Sequence, residues 1–274
     1  MRLLFLGDIV GKTGRSIVCE ALPRLIKDFK LDFVIANGEN SAGGFGITEK
    51  ILCEMIEVGI DVITTGNHVW DKREALVFSQ RYHQFLRPAN YPLDTPGNGS
   101  GLYQAKNGAN ILVSNIMGRI FMNPILGDPF KTAAIILETC HLKEQADVIV
   151  FDFHAETTSE KQCFAHFLDS RASLVVGTHT HIPTADAQIL DGGTGYISDL
   201  GMCGDYNSSI GLDKEEPINR FLTQIPRNRF IVANGSATLC GVCADISDVT
   251  GLTEKISPIR IGPRLQEVSP NFWM

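Results

Sequence analysis

No apolar run in these 274 residues approaches the roughly 20 residues that a membrane-spanning helix needs, which excludes a helical membrane protein. The N-terminal run MRLLFL stops at Gly7 and Asp8, too early for the core of a secretory signal, so a cytoplasmic location is expected. Nor is there a cluster of Lys or Arg. With 24 basic against 31 acidic residues the formal charge is −7, and a stable complex with long nucleic acid is not expected. Cysteine is sparse and odd in number: the seven are scattered through a chain large enough to fold without staples, so reduced thiols are expected. Cys240 and Cys243 form a lone CxxC, but a structural zinc site needs a second pair, and they are read as small residues of a late β-rich segment. Repeats and low-complexity segments are absent too. What remains is an ordinary soluble composition, 44% hydrophobic and 20% charged, read as a single domain over 1–274.

Short apolar runs that end in polar motifs recur along the chain. RLLFL (2–6) precedes GDIVG, DFVIAN (32–37) precedes GEN, and DVITT (61–65) precedes GNH; NILVSN (110–115), DVIVFDFH (147–154) and SLVVGTH (173–179) repeat the pattern. Helical spacing of apolar residues is found over 15–30, 47–59 and 157–169, and a further helix is expected near 216–222. Strand, helix, strand, helix, strand implies right-handed crossovers and a largely parallel sheet in an α/β fold. The Pro-, Gly- and Asn-rich stretch 87–108 is read as a long surface connection, and Gly-spaced short strands are expected after Gly192.

Ligand-type side chains gather at the carboxyl ends of these strands: Asp8, then Glu39 and Asn40, then Asn67 and His68, then His154, then His179 and His181. In open α/β sheets that rim is where ligands bind. Taken singly, Asp8 could cap a helix, Asn67 could make a turn and His154 could be a satisfied interior imidazole. Five segments delivering such groups to one rim is a different matter. Carboxylate, carboxamide and imidazole together suit Fe, Mn, Zn, Ni or Co rather than calcium. One carboxylate can bridge two such ions about 3.5 to 4 Å apart that share a hydroxide. GDIVGKTGRS invites a competing P-loop reading, but three residues separate Gly7 from the Gly11-Lys12 pair where that motif requires four. Lys12 and Arg15 are left as surface charges at a helix start or as contacts to a substrate phosphate.

GD after the first strand, GNH after the third and the late GTHTH resemble the calcineurin-like metallophosphoesterase superfamily, with its GD, GNH and GHxH pattern. More narrowly, GDIVGKTGR, NGENSAGGFGIT, TTGNHVWDKRE, DFHAETTSEK, GTHTHIPTAD and YISDLGMCGDYNSSIGLDKEEPINRFLT resemble the YmdB family of bacterial metallophosphoesterases and cyclic-nucleotide phosphodiesterases, over nearly the whole chain. The resemblance implies a four-layer α/β/β/α sandwich with mixed sheets. It also implies two divalent or mixed-valence metal ions, iron or manganese first, with zinc, nickel or cobalt as other occupants. Asp8, Asn40 and His181 would hold one ion, Asn67, His154 and His179 the other; Glu39 would bridge them and His68 would be the general acid. The broader superfamily bridges its metals with an Asp, where this chain has the Glu of NGEN. The implied substrates are small phosphodiesters, 2′,3′-cyclic nucleotides and also 3′,5′-cyclic ones, and the implied assembly is a homo-oligomer. A phosphomonoesterase or protein phosphatase would use the same ions, and a non-catalytic metal or nucleotide sensor is the reading from another class.

If His179 and His181 serve different ions, the backbone there must leave the ideal strand, because strict alternation would aim both rings the same way. Each ring should also give its other N–H to a carbonyl or carboxylate. Trp70 is expected to pack or to stack a base, Asp71 to orient His68 or cap a helix, and the run 199–212 to wall the substrate pocket or to form a plain edge connection.

Overall fold

In the computed structural model, which describes residues 1–273, the chain begins β1 (Arg2–Leu6), β2 (Asp8–Ile9), α1 (Gly11–Phe29), β3 (Phe33–Asn37), α2 (Glu49–Glu57), β4 (Val62–Thr64) and α3 (Ala75–Phe78). It continues β5 (Ser100–Gln104), β6 (Asn110–Met117), α4 (Pro129–Thr139), β7 (Val148–His154), α5 (Thr158–Leu168) and β8 (Leu174–Thr178). It closes with β9 (Gln188–Ile189), β10 (Gly195–Ile197), β11 (Met202–Asp205), α6 (Glu215–Thr223), β12 (Ala237–Ile246) and β13 (Thr253–Ile261). Among the described residues no helix is long and apolar enough to cross a membrane.

Two sheets result. The first runs β2-β11-β12-β1-β3-β4 with β13 on the free edge of β12; the second runs β5-β6-β7-β8-β10-β9. Strands β1, β3 and β4 are parallel, as are β6, β7, β8 and β10, which is what the strand-helix alternation predicts. The expectation of a largely parallel sheet fails at the C-terminal end, where β12 pairs antiparallel with both β1 and β13 and makes the first sheet mixed. These two strands are also longer than the short ones expected there.

Side-chain alternation builds the layers. Leu3 and Phe5 of β1 enter a core between the sheets, where they join Val148 and Val150 of β7 and Val242 of β12. Leu4 and Leu6 point the other way, onto Val18 and Leu22 of α1 and Leu52 and Met55 of α2. On the second sheet Ile149, Phe151 and Phe153 meet Ala133 and Leu137 of α4 and Phe164 and Leu168 of α5. The order is α/β/β/α, and strands covered on both faces explain why the sequence shows continuous apolar runs rather than alternation.

Three details depart from the sequence reading. Helix α1 starts at Gly11, four residues earlier than its periodicity shows, because its cap residue Val10 offers no side-chain hydrogen bond that would mark the start. Part of the stretch read as a surface connection is strand β5, the antiparallel edge of the second sheet. Helix α4 is not among the expected elements, although Asp128 accepts from the backbone of Phe130 and Lys131 and Pro129 follows it, a legible cap.

The lone CxxC spans opposite faces of β12, with both thiols buried, so the reading as packing residues holds. Strands β8 and β10 approach so closely beyond their last pair that a Cβ at Gly177 would lie 1.7 Å from the Ser198 carbonyl oxygen. Gly177→Ala is expected to cost at least the roughly 1–3 kcal/mol of ordinary overpacking, read as a lower urea midpoint at unchanged slope.

Candidate metal centre

The carboxyl ends of both sheets meet at one place, and the eight predicted residues arrive there on five strand-end segments. Beyond β3, the Asn37 side chain accepts from the Glu39 amide at 3.1 Å and donates to the Thr65 carbonyl at 3.2 Å, which fixes the turn that buries Glu39 and Asn40. Arg15 donates to the carbonyl of Ser41 and so braces this turn from α1, a structural contact, and Lys12 at the start of α1 is exposed and lines a separate cleft with Thr13, Glu20 and Asn234. Beyond β4, Gly66 allows the imidazole of His154 to lie against the backbone: a Cβ there would be 2.1 Å from the ring. Asn67 and His68 follow directly.

His154, at the end of β7, sits fully buried between three groups. Its Nε2 lies 3.0 Å from Asn67 Oδ1, 3.0 Å from Glu39 Oε1 and 3.1 Å from His179 Nδ1. The other ring nitrogen, Nδ1, is 2.9 Å from Thr178 Oγ1, whose own hydrogen goes to Asp152 Oδ1 at 2.7 Å. Nδ1 is therefore the donor, and the lone pair of Nε2 faces the other acceptors. The partner is a hydroxyl relayed to a carboxylate rather than the carbonyl or carboxylate expected. His179 is oriented in the opposite sense, with Nε2 3.1 Å from Glu156 Oε2, so its Nδ1 also faces inward.

Asp8, Asn40 and His181 form an adjoining group. His181 Nδ1 donates to the Ile210 carbonyl at 2.7 Å, which leaves Nε2 3.2 Å from Asn40 Oδ1 and 3.7 Å from Asp8 Oδ1. Asn40 cannot turn its amide nitrogen inward, because that nitrogen donates to the Gly44 carbonyl at 2.9 Å. Asp8 Oδ2 accepts from the His179 amide, but Oδ1 is buried with no hydrogen-bond partner among the described residues. His179 and His181 take φ of +102° and +67°, so the backbone leaves the strand after Thr178 and the two rings part, as required.

This donor set fits cations. Apart from the proton that His154 Nε2 takes up when its ring is charged, the atoms facing one another are acceptors fixed from outside, and a buried carboxylate oxygen is left orphaned. Two ligand atoms about 2.1 Å from one ion lie about 3.0 to 3.4 Å apart at ordinary bond angles, the spacing found around His154 Nε2. Glu39, His154 and His179 offer ligand atoms within 4.8 Å of one another. The charge balance agrees. Burial opposes ionisation of Glu39, yet His154 and His68 hold it at about 2. Burial likewise opposes a charged His154, and the carboxylates of Glu39, Asp8 and Asp152 still push it up to about 9, so they draw to Nε2 a positive charge that a bound cation would replace. Burial and the neighbouring His154 push His179 down to about 3, into the neutral form that ligates. Burial raises Asp8 against the pull of His181 and His154.

His68 stands beside this centre, one-quarter exposed, with Nδ1 2.8 Å from Asp71 Oδ2 and its ring edge-on to Phe45. Asp71 thus orients His68. Trp70 packs edge-on against Tyr91, as the packing alternative had it. Ile210 and Leu212, at the far end of the 199–212 run, line the small pocket over Glu39 and Asn40.

The residues that sequence reasoning missed lie one layer out. Asp152 is a fully buried carboxylate, pushed up to about 6 by burial, and its one visible trace is a charge inside the apolar run DVIVFDFH. Lys161 of α5 and Asp199 beyond β10 form a buried ion pair of 2.7 Å. The same Asp199 oxygen accepts from the amide of Thr180, the residue between the two imidazoles, and its other oxygen accepts from Gly201, whose carbonyl takes the Asp8 amide.

Residues 4–259 match the profile of a family described as YmdB-like protein. The chain is 48% identical over 262 residues to a 2′,3′-cyclic-nucleotide 2′-phosphodiesterase of Bacillus subtilis (strain 168), across 95% of this chain and 97% of that protein. A hypothetical protein from Thermus thermophilus superposes with a TM-score of 0.88 at 41% identity, covering 96% of this chain and 99% of that one. A crystal structure described as a novel phosphatase from Mycoplasma pneumoniae gives a TM-score of 0.88 at 34% identity, covering 96% and 93%.

Asp199→Ala would leave the Lys161 ammonium buried without its carboxylate, at an expected cost of about 3 to 5 kcal/mol in urea unfolding. Metal bound per folded chain, measured by elemental analysis, is expected to fall as well, since Thr180 loses its anchor. Unchanged metal content would make the pair purely structural.

Proposed function

This chain belongs to the YmdB-like protein family, and we propose that it is a phosphoesterase that hydrolyses cyclic nucleotides, 2′,3′-cyclic ones first and 3′,5′-cyclic ones also, at a pair of metal ions. The observation that carries this reading is the convergence of inward-facing lone pairs around His154 and His181, each fixed from outside by a neighbour. Asp8, Asn40 and His181 would hold one ion, Asn67, His154 and His179 the other, with Glu39 shared between them. Mixed oxygen and nitrogen donors suit iron or manganese, with zinc, nickel or cobalt as competitors. Bound there, the ions supply neutralisation of phosphoryl charge and activation of water.

The chain's own residues do the rest. Asp71 engages the Nδ1 hydrogen of His68, which leaves Nε2 to face the substrate; it is the protonated ring that would pass its Nε2 proton to the departing ribose oxygen. The amide of His68 donates to Glu39 Oε2 at 3.0 Å, which ties the segment of the acid to the Glu39 carboxylate. Asp152, through Thr178, holds His154 in the ligating tautomer.

A phosphomonoesterase is the second reading, favoured by the description of the Mycoplasma relative as a phosphatase. Turnover of phosphoserine peptides faster than of 2′,3′-cyclic AMP would select it. A homo-oligomer is supported by the exposed apolar side chains Ile218, Phe221 and Leu222 of α6, which continue into Ile225 and Ile231. Sedimentation of wild type as a dimer or larger, and of Phe221→Asp/Leu222→Asp as a monomer, is the expected result; a wild-type monomer would end this part of the proposal.

His68→Ala is expected to lower kcat on 2′,3′-cyclic AMP by about 10² to 10⁴ while elemental analysis still finds its metal. Glu39→Gln should fold, by circular dichroism, and lose metal. Loss of metal from the His68 variant, or its retention in the Glu39 variant, would reverse the assigned roles.

A further inference from the structure

Resting on the reading above, we infer that Phe121 is the surface on which the nucleobase of the substrate stacks. Two chambers flank His68. The one over Glu39, Asn40 and His181 measures about 80 Å³ and is closed by Phe45, Ile210 and Leu212. The other opens past Asn67, His68 and His179, measures about 460 Å³, and has Phe121, Met122 and Asn123 as its far wall. Sites for small organic molecules run from about 300 to 1,000 Å³, so of the two it is the second chamber that has room for a base and its sugar. Because it shares His68, Asn67 and His179 with the metal centre, a nucleoside whose phosphate lies at that centre extends into this chamber.

Phe121 is 86% exposed, as Phe221 on α6 nearly is, but among the described Phe, Tyr and Trp residues Phe121 alone takes a positive φ, +61°, and it alone of the two lies at the rim of the site. An apolar side chain left in water at the rim of a polar site gains nothing from the fold itself. The segment that carries it is nevertheless firmly built. Asn90 closes its two ends: the carboxamide nitrogen donates to the carbonyls of Met117 at 2.7 Å and Gly127 at 2.9 Å, and the oxygen accepts from the Met117 amide. Glu160, nearly buried, accepts from the amides of Arg119 at 3.0 Å and Ile120 at 3.3 Å, immediately before Phe121. None of these bonds touches the metal centre. They fix a platform whose exposed flat face is the kind that stacks any base, and such stacking is worth roughly tenfold to a hundredfold in affinity per base. Asn123, exposed beside it in the same wall, brings a donor and an acceptor for a base edge.

The test compares 2′,3′-cyclic AMP with the base-free 1-O-methylribose 2′,3′-cyclic phosphate. For wild type, kcat/KM should favour the base-bearing substrate. In Phe121→Ala that preference should fall by about tenfold or more, through KM rather than kcat, and Phe121→Trp should restore it. A preference unchanged by Phe121→Ala, in an enzyme that turns over both substrates, overturns the inference and leaves the phosphodiesterase reading intact. An equal loss on both substrates, or a change in sedimentation without a change in preference, overturns it too, by making Phe121 a packing or subunit-contact residue. If wild type hydrolyses neither substrate, the phosphodiesterase reading fails and the platform falls with it.

Discussion

Acceptor atoms held against one another, away from water, are the constraint on which the rest of the molecule depends. Glu39, Asn67, His154 and His179 bring oxygen and nitrogen lone pairs to about van der Waals contact, and Asp8 adds a carboxylate oxygen that accepts no hydrogen bond from the described residues. Bringing such groups together in a low dielectric is unfavourable unless a positive charge compensates them. The cost of the arrangement is met by the outer contacts. Ile210, Gly44, Thr178 with Asp152, and Glu156 each occupy the hydrogen-bonding end that would otherwise swing inward and relieve the conflict. Remove those contacts and each ring or carboxamide can rotate to satisfy a neighbour, which fills the site with hydrogen bonds instead of a cation.

Strand geometry alone would not produce two separate groups. An extended GTHTH segment would send both imidazoles to one side, and the chain departs from that by placing His179 and His181 at positive φ. Such residues are uncommon outside glycine and persist where the surroundings over-determine them. Here the surroundings are the Asp199 carboxylate on Thr180, the Asp8 carboxylate on the His179 amide and the Tyr206 hydroxyl on the His181 carbonyl. Lys161 pairs with Asp199 in that buried place, so a helix on the outer face of the second sheet sets the backbone of the loop at its rim. Specificity of geometry at the centre is thus supplied from a layer away.

How much of this can be read beforehand follows from where each residue's partners lie in sequence. The parallel strands and the helices between them are local patterns, and RLLFL, DFVIAN, DVITT and DVIVFDFH show them plainly. So do the residues of the centre, because a fold that ends its strands at one rim converts strand-end motifs directly into a site. What stays hidden depends on long-range pairing. Strand β12 lies antiparallel beside β1 although the two stand at opposite ends of the chain, and nothing in ATLCGVCADI names that partner. Asp152, Lys161 and Asp199 look like stray charges until the fold brings each to its acceptor or donor. Asp71, by contrast, is legible as a partner for His68 because it follows one short turn later in the same segment. Phe121 carries no pattern, being one aromatic in a short irregular segment.

The centre also lies where the two sheets touch. Asp8, Glu39, Asn40 and Asn67 come from the first sheet and His154 and His179 from the second, so anything bound to both groups links the sheets beyond their shared apolar core. A cation at free concentration c that binds this folded junction and not the separated strands stabilises the fold by RT ln(1 + c/Kd), which keeps rising with c. The chamber bounded by Phe121 is built differently, on a segment whose anchors, Asn90 and Glu160, lie outside that junction. Changes in the 118–127 segment are therefore separable from the cluster around His154 and from the packing of the sheets. The division follows from chemistry: ion binding tolerates little positional error and belongs on strand ends, whereas a stacking face needs only to be flat, exposed and held.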